Sequence, residues 1–289
     1  MAQESPSEKS SCSLSGVQSS LKEFHLKALR CPSCQRALRF SERHLDGDEV
    51  ESGKILCEKG HSWSLDEGIP TLVYPRINQK DEAWIKQYDE LAEKHDELLK
   101  SYDKWLGIDM MKERERLAQY VTIEGPSRIL DVSMGTGADF VALSNMFRNE
   151  LGRFDFHGLD MSRGMLRTAR RKFKDLGVNV GLVQGSVFNL PYQDNYFNLV
   201  VHSGGINTFS DKGHALEEMW RVAKPWGIVI VTDEGLSPDV RKTERGKEIL
   251  KTNSLFGSKP PLEYVPSVAR NLQISYIMNG TFYQMVFAK

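Results

Sequence analysis

From about residue 127 onward, this 289-residue chain alternates short apolar runs with longer amphipathic ones, a pattern few folds accommodate. Residues 128–132, 154–160, 178–183, 197–202 and 227–232 are rich in Val, Ile, Leu and Phe, which is the composition of buried strands. Between them, 138–147, 163–176 and 212–223 carry apolar residues at helical spacing; Leu166, Ala169 and Phe173 share one face. Strand, helix, strand at this spacing forces right-handed crossovers and a parallel sheet covered on both sides. The last segment differs. Two strand-like runs, 274–278 and 282–287, flank Asn279-Gly280, which suits the two positive φ values of a type I′ turn. The expected fold is therefore an α/β, doubly wound, mostly parallel seven-stranded sheet of Rossmann-like architecture, ending in an antiparallel hairpin.

Upstream, Trp84, Tyr88, Leu91, His95, Leu98, Tyr102 and Trp105 recur at alternating steps of four and three, predicting one helix over 81–105 that either packs on the next domain or acts as a lid. A second short helix is expected over 109–121. Earlier still, 27–76 combines turn signals at Asp46-Gly47 and Gly68-Ile69-Pro70 with Cys31-Pro-Ser-Cys34 and, further on, Cys57-Glu-Lys-Gly-His61. A unit this small needs a staple, and two knuckles presenting three thiolates and an imidazole suit a closed tetrahedral zinc site. Cys31, Cys34, Cys57 and His61 are thus the expected ligands of a structural zinc, with His25 and His44 in reserve. The four domains expected are a disordered, Ser-rich tail at 1–26 containing Cys12, a zinc ribbon at 27–76, a helical linker or lid at 77–122, and a catalytic domain at 123–289.

Charge removes one general driving force, leaving only local basic patches. With 38 Lys+Arg against 39 Asp+Glu the chain has no global basic field to draw it to nucleic acid or anionic lipid. No apolar run reaches the roughly 18 residues of a membrane span. Four Cys do not make a secreted disulfide framework, so a cytoplasmic location is expected.

The ligand-binding turn is Asp131-Val-Ser133-Met-Gly135-Thr-Gly137-Ala-Asp139-Phe140, a strand entering a small-residue turn and then a helix. A dinucleotide site wants a small third residue of G-x-G-x-x-G, where this chain has Phe140. S-adenosylmethionine has no phosphate and carries a cationic sulfonium and amino group, which an acid at the strand end suits. The segment resembles motif I of class I S-adenosylmethionine-dependent methyltransferases, with Ser133 in the place of the first glycine; the resemblance covers about 109–289. It implies that Asp160, ending the second strand, receives the ribose hydroxyls, that Met161 lies against the adenine, and that Ser186 and the Val187 backbone stand where the family meets the base. Ala223-Lys-Pro225-Trp-Gly227 resembles the family's Lys-Pro-Gly-Gly turn. The cofactor set is then Asp131, Ser133, Gly135, Gly137, Asp160, Met161, Ser186, Val187 and His202.

The fourth strand ends in His202-Ser-Gly204-Gly205-Ile-Asn207-Thr-Phe209, at the carboxyl edge where open α/β sheets bind ligands. His202 is the first candidate for positioning or base catalysis, followed by Asn207 and Tyr283, with Asp211 and His214 behind them. No Cys beyond 57 excludes a cysteine nucleophile in this domain. The catalytic region resembles the quinone and small-molecule methyltransferase group, and Phe209, Trp226, Phe256, Tyr264, Phe282 and Tyr283 are the expected aromatic wall of a small-molecule acceptor site. The ribbon ahead of such a domain resembles the layout of 23S rRNA guanine-N1 methyltransferases, and also small zinc-ribbon partners of tRNA and protein methyltransferases. That keeps open an RNA acceptor, with phosphate contacts from 167–174 and 241–251, and a protein partner on the ribbon. Ser133 and Ser186 also leave a non-catalytic, cofactor-binding scaffold as a third reading.

Overall fold

The computed structural model describes residues 22–46, 49–121 and 126–289. Most of the expected tail, with Cys12, and the 122/123 boundary lie outside them. The tail's last residues instead open a helix, α1 (Glu23–Ala28), whose Leu26 and Ala28 are buried. The ribbon follows as β1 (Leu38–Asp46), β2 (Glu49–Cys57), β3 (Ser62–Asp66) and β4 (Ile69–Leu72), each antiparallel to the one before. The Asp46-Gly47 turn lies partly outside the described residues.

The single helix expected over 81–105 is two: α2 (Gln79–Leu91) and α3 (His95–Leu106), joined by one tight turn at 92–94. No Gly or Pro marks the break. Tertiary hydrogen bonds described below hold the two helices at different places on the cleft and override local propensity. Then come α4 (Met110–Glu115), β5 (Ser127–Val132), α5 (Ala138–Met146), β6 (Phe154–Asp160), α6 (Arg163–Leu176), β7 (Val180–Gly185), β8 (Phe197–Ser203), α7 (Lys212–Val222), β9 (Ala223–Glu234), α8 (Glu244–Thr252), β10 (Arg270–Ile277) and β11 (Phe282–Ala288).

In the order β7-β6-β5-β8-β9-β11-β10, the expected seven strands form one sheet, with β7 through β9 parallel and β11 antiparallel to both neighbours. Successive β5 residues point to opposite faces: Ile129 joins a core with Phe140, Phe156 and Leu166, while Leu130 and Val132 join another with Val200, Phe197 and Leu216. The two-residue hairpin turn is instead a four-residue loop, because Met278 as well as Asn279 and Gly280 adopts positive φ between the Ile277 and Phe282 pair.

The ribbon is not a separate bead. β4 pairs in parallel with β7 through Thr71 opposite Gln184 and Leu72 opposite Gly185, so all eleven strands form one continuous sheet. An edge that would carry unpaired backbone groups is thereby covered.

Candidate functional site

One cleft runs across the carboxyl ends of β7, β6, β5, β8 and β9, roofed by α2 and α3. Of the expected cofactor set, Ser133, Gly135, Asp160, Met161, Ser186 and Val187 line it. The turn after β5 is tight: Ser133 has φ 56°, Gly135 56° and Gly137 80°. A Cβ at Gly137 would lie 2.3 Å from Phe173, so that position admits only glycine. Ser133 adopts the left-handed conformation that favours glycine.

Asp160 is fixed from both sides. Gly135 donates its N–H to Oδ2 at 2.8 Å and Ser162 donates to Oδ1 at 2.8 Å, leaving each oxygen one lone pair to offer the cleft. Burial pushes its carboxyl above the usual range. Asp131 lies beneath the turn, 1% exposed, with neither carboxylate oxygen hydrogen-bonded among the described residues. Burial first, then neighbouring Asp139, pushes its carboxyl well up, a cost that a nearby cation would offset. On the other side of the turn Arg114 of α4 pairs with Asp139 at 2.8 Å. Ser186 Oγ accepts from Phe188 N–H at 3.2 Å, shaping the loop after β7.

The roof is bolted down at two points. Asp89 of α2 accepts from Ser162 Oγ at 2.6 Å and from Gly164 N–H at 2.8 Å, while Asp96 of α3 accepts from Thr136 Oγ1 at 2.6 Å and pairs with Lys172 at 2.6 Å. His95 thereby stands over Gly135, to whose position its ring carbon comes closest.

None of the three catalytic candidates presents a free group to this cleft. His202 is wholly buried below it: its Nδ1 donates to the Val132 carbonyl at 2.8 Å, and burial lowers it to about 4, so it is neutral. Asn207 lines the cleft, but its Nδ2 donates to the Glu234 carbonyl at 2.8 Å and its Oδ1 accepts from Tyr283 at 3.0 Å. Tyr283, behind it, is wholly buried. Asp211 caps α7 by accepting from His214 N–H at 2.9 Å. The aromatic wall is also different: Phe209 and Phe282 line the cleft, whereas Phe256 is core, Trp226 is 69% exposed and Tyr264 lies on the surface. Trp84, Tyr88 and Tyr102 of the roof supply the missing aromatics.

Sequence reasoning missed Asp233 and Glu234, the acids that end β9 and line the far end of the cleft. Asp233 is wholly buried and accepts from the backbone of Asn207 at 2.7 Å, Gly205 at 3.2 Å and Glu234 at 2.8 Å. Burial, then Glu234, pushes its carboxyl well up. An acid pair at the carboxyl end of a parallel strand was the available signal.

The Cys and His side chains converge as expected. Cys34 and Cys57 sulfurs are 3.7 Å apart, and His61 Nδ1 lies 3.5 Å from Cys31 and 3.3 Å from Cys57. Bond lengths near 2.3 Å to sulfur and 2.0–2.1 Å to nitrogen in a tetrahedron require about 3.8 and 3.5 Å, so the donor set fits zinc. Burial pushes the Cys57 thiol up, but backbone N–H groups of His61 and Lys59 and the other thiols bring it down to about 7. His25 is elsewhere, buried against Gly181 with Asp155 and His157, and His44 is on exposed β1.

A parallel sheet of this order, closed by an antiparallel pair and bearing a glycine turn and an acid on adjacent strand tips, is the Rossmann-like class I methyltransferase fold. Residues 129–227 match the family model described as a methyltransferase domain. Over 108 residues the chain is 38% identical to the ubiquinone/menaquinone biosynthesis C-methyltransferase UbiE of Photorhabdus laumondii, covering 37% of this chain and 42% of that protein. It is 28% identical over 158 residues to the demethylmenaquinone methyltransferase of Thermotoga maritima, covering 55% and 64%. The match therefore spans less than two thirds of these relatives. In fold the chain is similar to a putative O-methyltransferase of Nostoc punctiforme, with TM-score 0.50, 16% identity, and coverage of 70% of this chain and 60% of that one.

Proposed function

We propose that this chain transfers a methyl group from S-adenosylmethionine to a small organic acceptor. The observation that carries the reading is Asp160, clamped by the Gly135 and Ser162 amides so that its remaining lone pairs face the cleft between the glycine turn and the Ser186–Val187 loop. Bound there, the cofactor supplies an electrophilic methyl on a sulfonium. Asp160 holds the ribose, Ser186 and Val187 border the adenine, and Ser133 and Gly135 border the amino-acid end, with Asp131 supplying negative charge from below. Gly137 and His202 shape the turn and its support rather than touch the ligand. Methyl transfer is an in-line displacement, so the chain's work is to align the reactants and exclude water, which the bolted roof performs.

A small acceptor is supported by the aromatic roof and by the names of the curated relatives. An RNA acceptor is disfavoured by charge pairing on α6, where Arg167 meets Glu67, Arg170 meets Glu51 at 2.7 Å, Arg171 meets Glu93 at 2.6 Å and Lys172 meets Asp96. Cys31, Cys34, Cys57 and His61 hold a structural zinc that braces the ribbon against the sheet edge. Calorimetry with S-adenosylmethionine and S-adenosylhomocysteine tests the cofactor: no heat at millimolar concentration sinks the reading. Labelled cofactor incubated with a fractionated cell extract tests the acceptor, and label confined to RNA overturns its class.

A further inference from the structure

The strand order divides the cleft. If the reading above holds, the cofactor spans the tips of β7, β6 and β5, leaving the tips of β8 and β9 and the roof above them to the acceptor. That half is floored by Asp233 and Glu234, roofed by Trp84, Tyr88 and Tyr102, and walled by Phe209. The cleft's basic side chains lie at the other end: Arg114 is paired with Asp139, and His95 stands over Gly135.

We propose that the acceptor is a primary or secondary amine on an apolar body, held as its ammonium ion by Glu234 and deprotonated by that carboxylate before transfer. An anionic acceptor would meet the Glu234 carboxylate and a buried acid beside it, with no cation opposite. An ammonium meets Glu234 and aromatic faces, both attractive. The division of labour between the acids follows from their bonds. Asp233 spends its oxygens on three backbone amides and so positions the Gly205–Asn207 loop and Glu234 itself. Glu234 accepts from the Tyr102 hydroxyl at Oε1 at 3.5 Å and lies against the Asp233 carboxyl, while none of its oxygens is taken by a backbone amide among the described residues. Facing the pair are Tyr88 of α2, Tyr102 of α3 and Tyr283 of β11; burial first, then the acids, pushes Tyr88 up to about 12 and the other two further, so none is a base. In the step, the ammonium gives one proton to Glu234 and the freed nitrogen lone pair attacks the methyl carbon. The carbon–sulfur bond breaks with its electrons going to sulfur, yielding an N-methylammonium and a neutral thioether, and Glu234 releases its proton to solvent.

The inference rests on the methyltransferase reading, and its test separates the two. Binding of 2-naphthylmethylamine, 2-naphthol and 2-naphthoate is measured calorimetrically on the full chain saturated with S-adenosylhomocysteine. The amine is expected to bind at least tenfold tighter than either analogue and to become methylated when S-adenosylmethionine is supplied. Glu234→Gln should weaken amine binding about tenfold while leaving S-adenosylhomocysteine affinity within twofold, and Glu234→Asp should retain the amine preference. Failure of S-adenosylhomocysteine to bind sinks the underlying reading. If it binds, then no amine binding, naphthol or naphthoate binding as tightly, or an unchanged amine affinity in Glu234→Gln overturns the inference alone.

Discussion

The Cys31–Cys34 knuckle and the loop after β7 share one side chain, Asn189, and its removal gives a sharp test of how the ribbon serves the proposed site. Asn189 closes the single turn Val187–Asn189, directly after Ser186. Its Nδ2 donates to the carbonyl of Pro32, between Cys31 and Cys34, at 2.9 Å and to that of Tyr74 at 2.7 Å. Its Oδ1 accepts from Gln35 at a longer 3.4 Å. Asn189→Ala removes two good hydrogen bonds at about 1 kcal/mol each, so about 2 kcal/mol of loop fixation is lost. If the loop must be ordered to receive the adenine, that is a weakening of cofactor binding by up to about 30-fold. On the proposed zinc site, stripping the metal with a chelator, checked by elemental analysis, should free the Pro32 carbonyl and cause a comparable loss in the wild type. The two perturbations act on one contact, so chelation should add little to Asn189→Ala. Calorimetry with S-adenosylhomocysteine reads all four states. Wild-type affinity untouched by metal removal, or fully additive losses, refutes the coupling.

Asp160→Ala removes the acceptor of two backbone amides and the proposed ribose ligand; cofactor affinity should fall at least tenfold while circular dichroism stays native, and unchanged affinity would mean the pocket is misplaced. Ser133→Gly relieves a left-handed residue at φ 56° and should raise stability by about 1 kcal/mol, seen as a melting temperature a few degrees higher; a fall contradicts the strain argument. Gly137→Ala forces a Cβ into Phe173 at φ 80° and should cost about 3 kcal/mol in denaturant titration. Burial holds His202 neutral, down to about 4, so its contribution is full above pH 6.5 and is lost as pH falls toward 4, at up to about 1.4 kcal/mol per pH unit. Asp131 and Asp233, pushed up, act in the opposite sense, losing their contribution as pH rises. The difference between wild type and His202→Asn isolates the histidine: Asn keeps a donor for Val132, and its stability should decline less between pH 6.5 and 5; parallel curves would refute the assignment.

Where local sequence and tertiary structure agree, the chain was readable. Residues 163–176 form α6 over that span because Ser162 caps it, accepting from Met165 at 3.1 Å, and Gly177 ends it in a left-handed conformation. The strand runs, the Cys and His knuckles, and the acid ending β6 were legible for similar reasons: apolar composition, ligand spacing and position at a strand tip. The misses share another cause. The α2–α3 break, the commitment of Asn207 to Glu234 and Tyr283, and the burial of His202 depend on partners tens of residues or more away, which periodicity does not encode. Trp226 was misplaced because its turn bulges outward at φ 65°, where Arg270 lies 4.6 Å over its ring.

The pairing of β4 with β7 changes what the amino-terminal strands β1 to β4 are for. As a free module they would present their own surface to a partner. Here two of their acids are held by the catalytic region: Glu51 and Glu67 pair with Arg170 and Arg167, and Arg163 reaches the Ile69 carbonyl at 3.1 Å. The same bonds neutralise Arg167 and Arg170 on α6, so an RNA phosphate there would have to displace carboxylates that arrive with the fold. Such exposed pairs are individually weak, but here they sit beside a strand pairing and a loop clamp that hold them at high local concentration. The consequence is testable by charge reversal. Glu51→Lys with Glu67→Lys should loosen the ribbon and lower cofactor affinity through the Asn189 loop, and a double variant that binds S-adenosylhomocysteine like the wild type would show the ribbon to be a passenger.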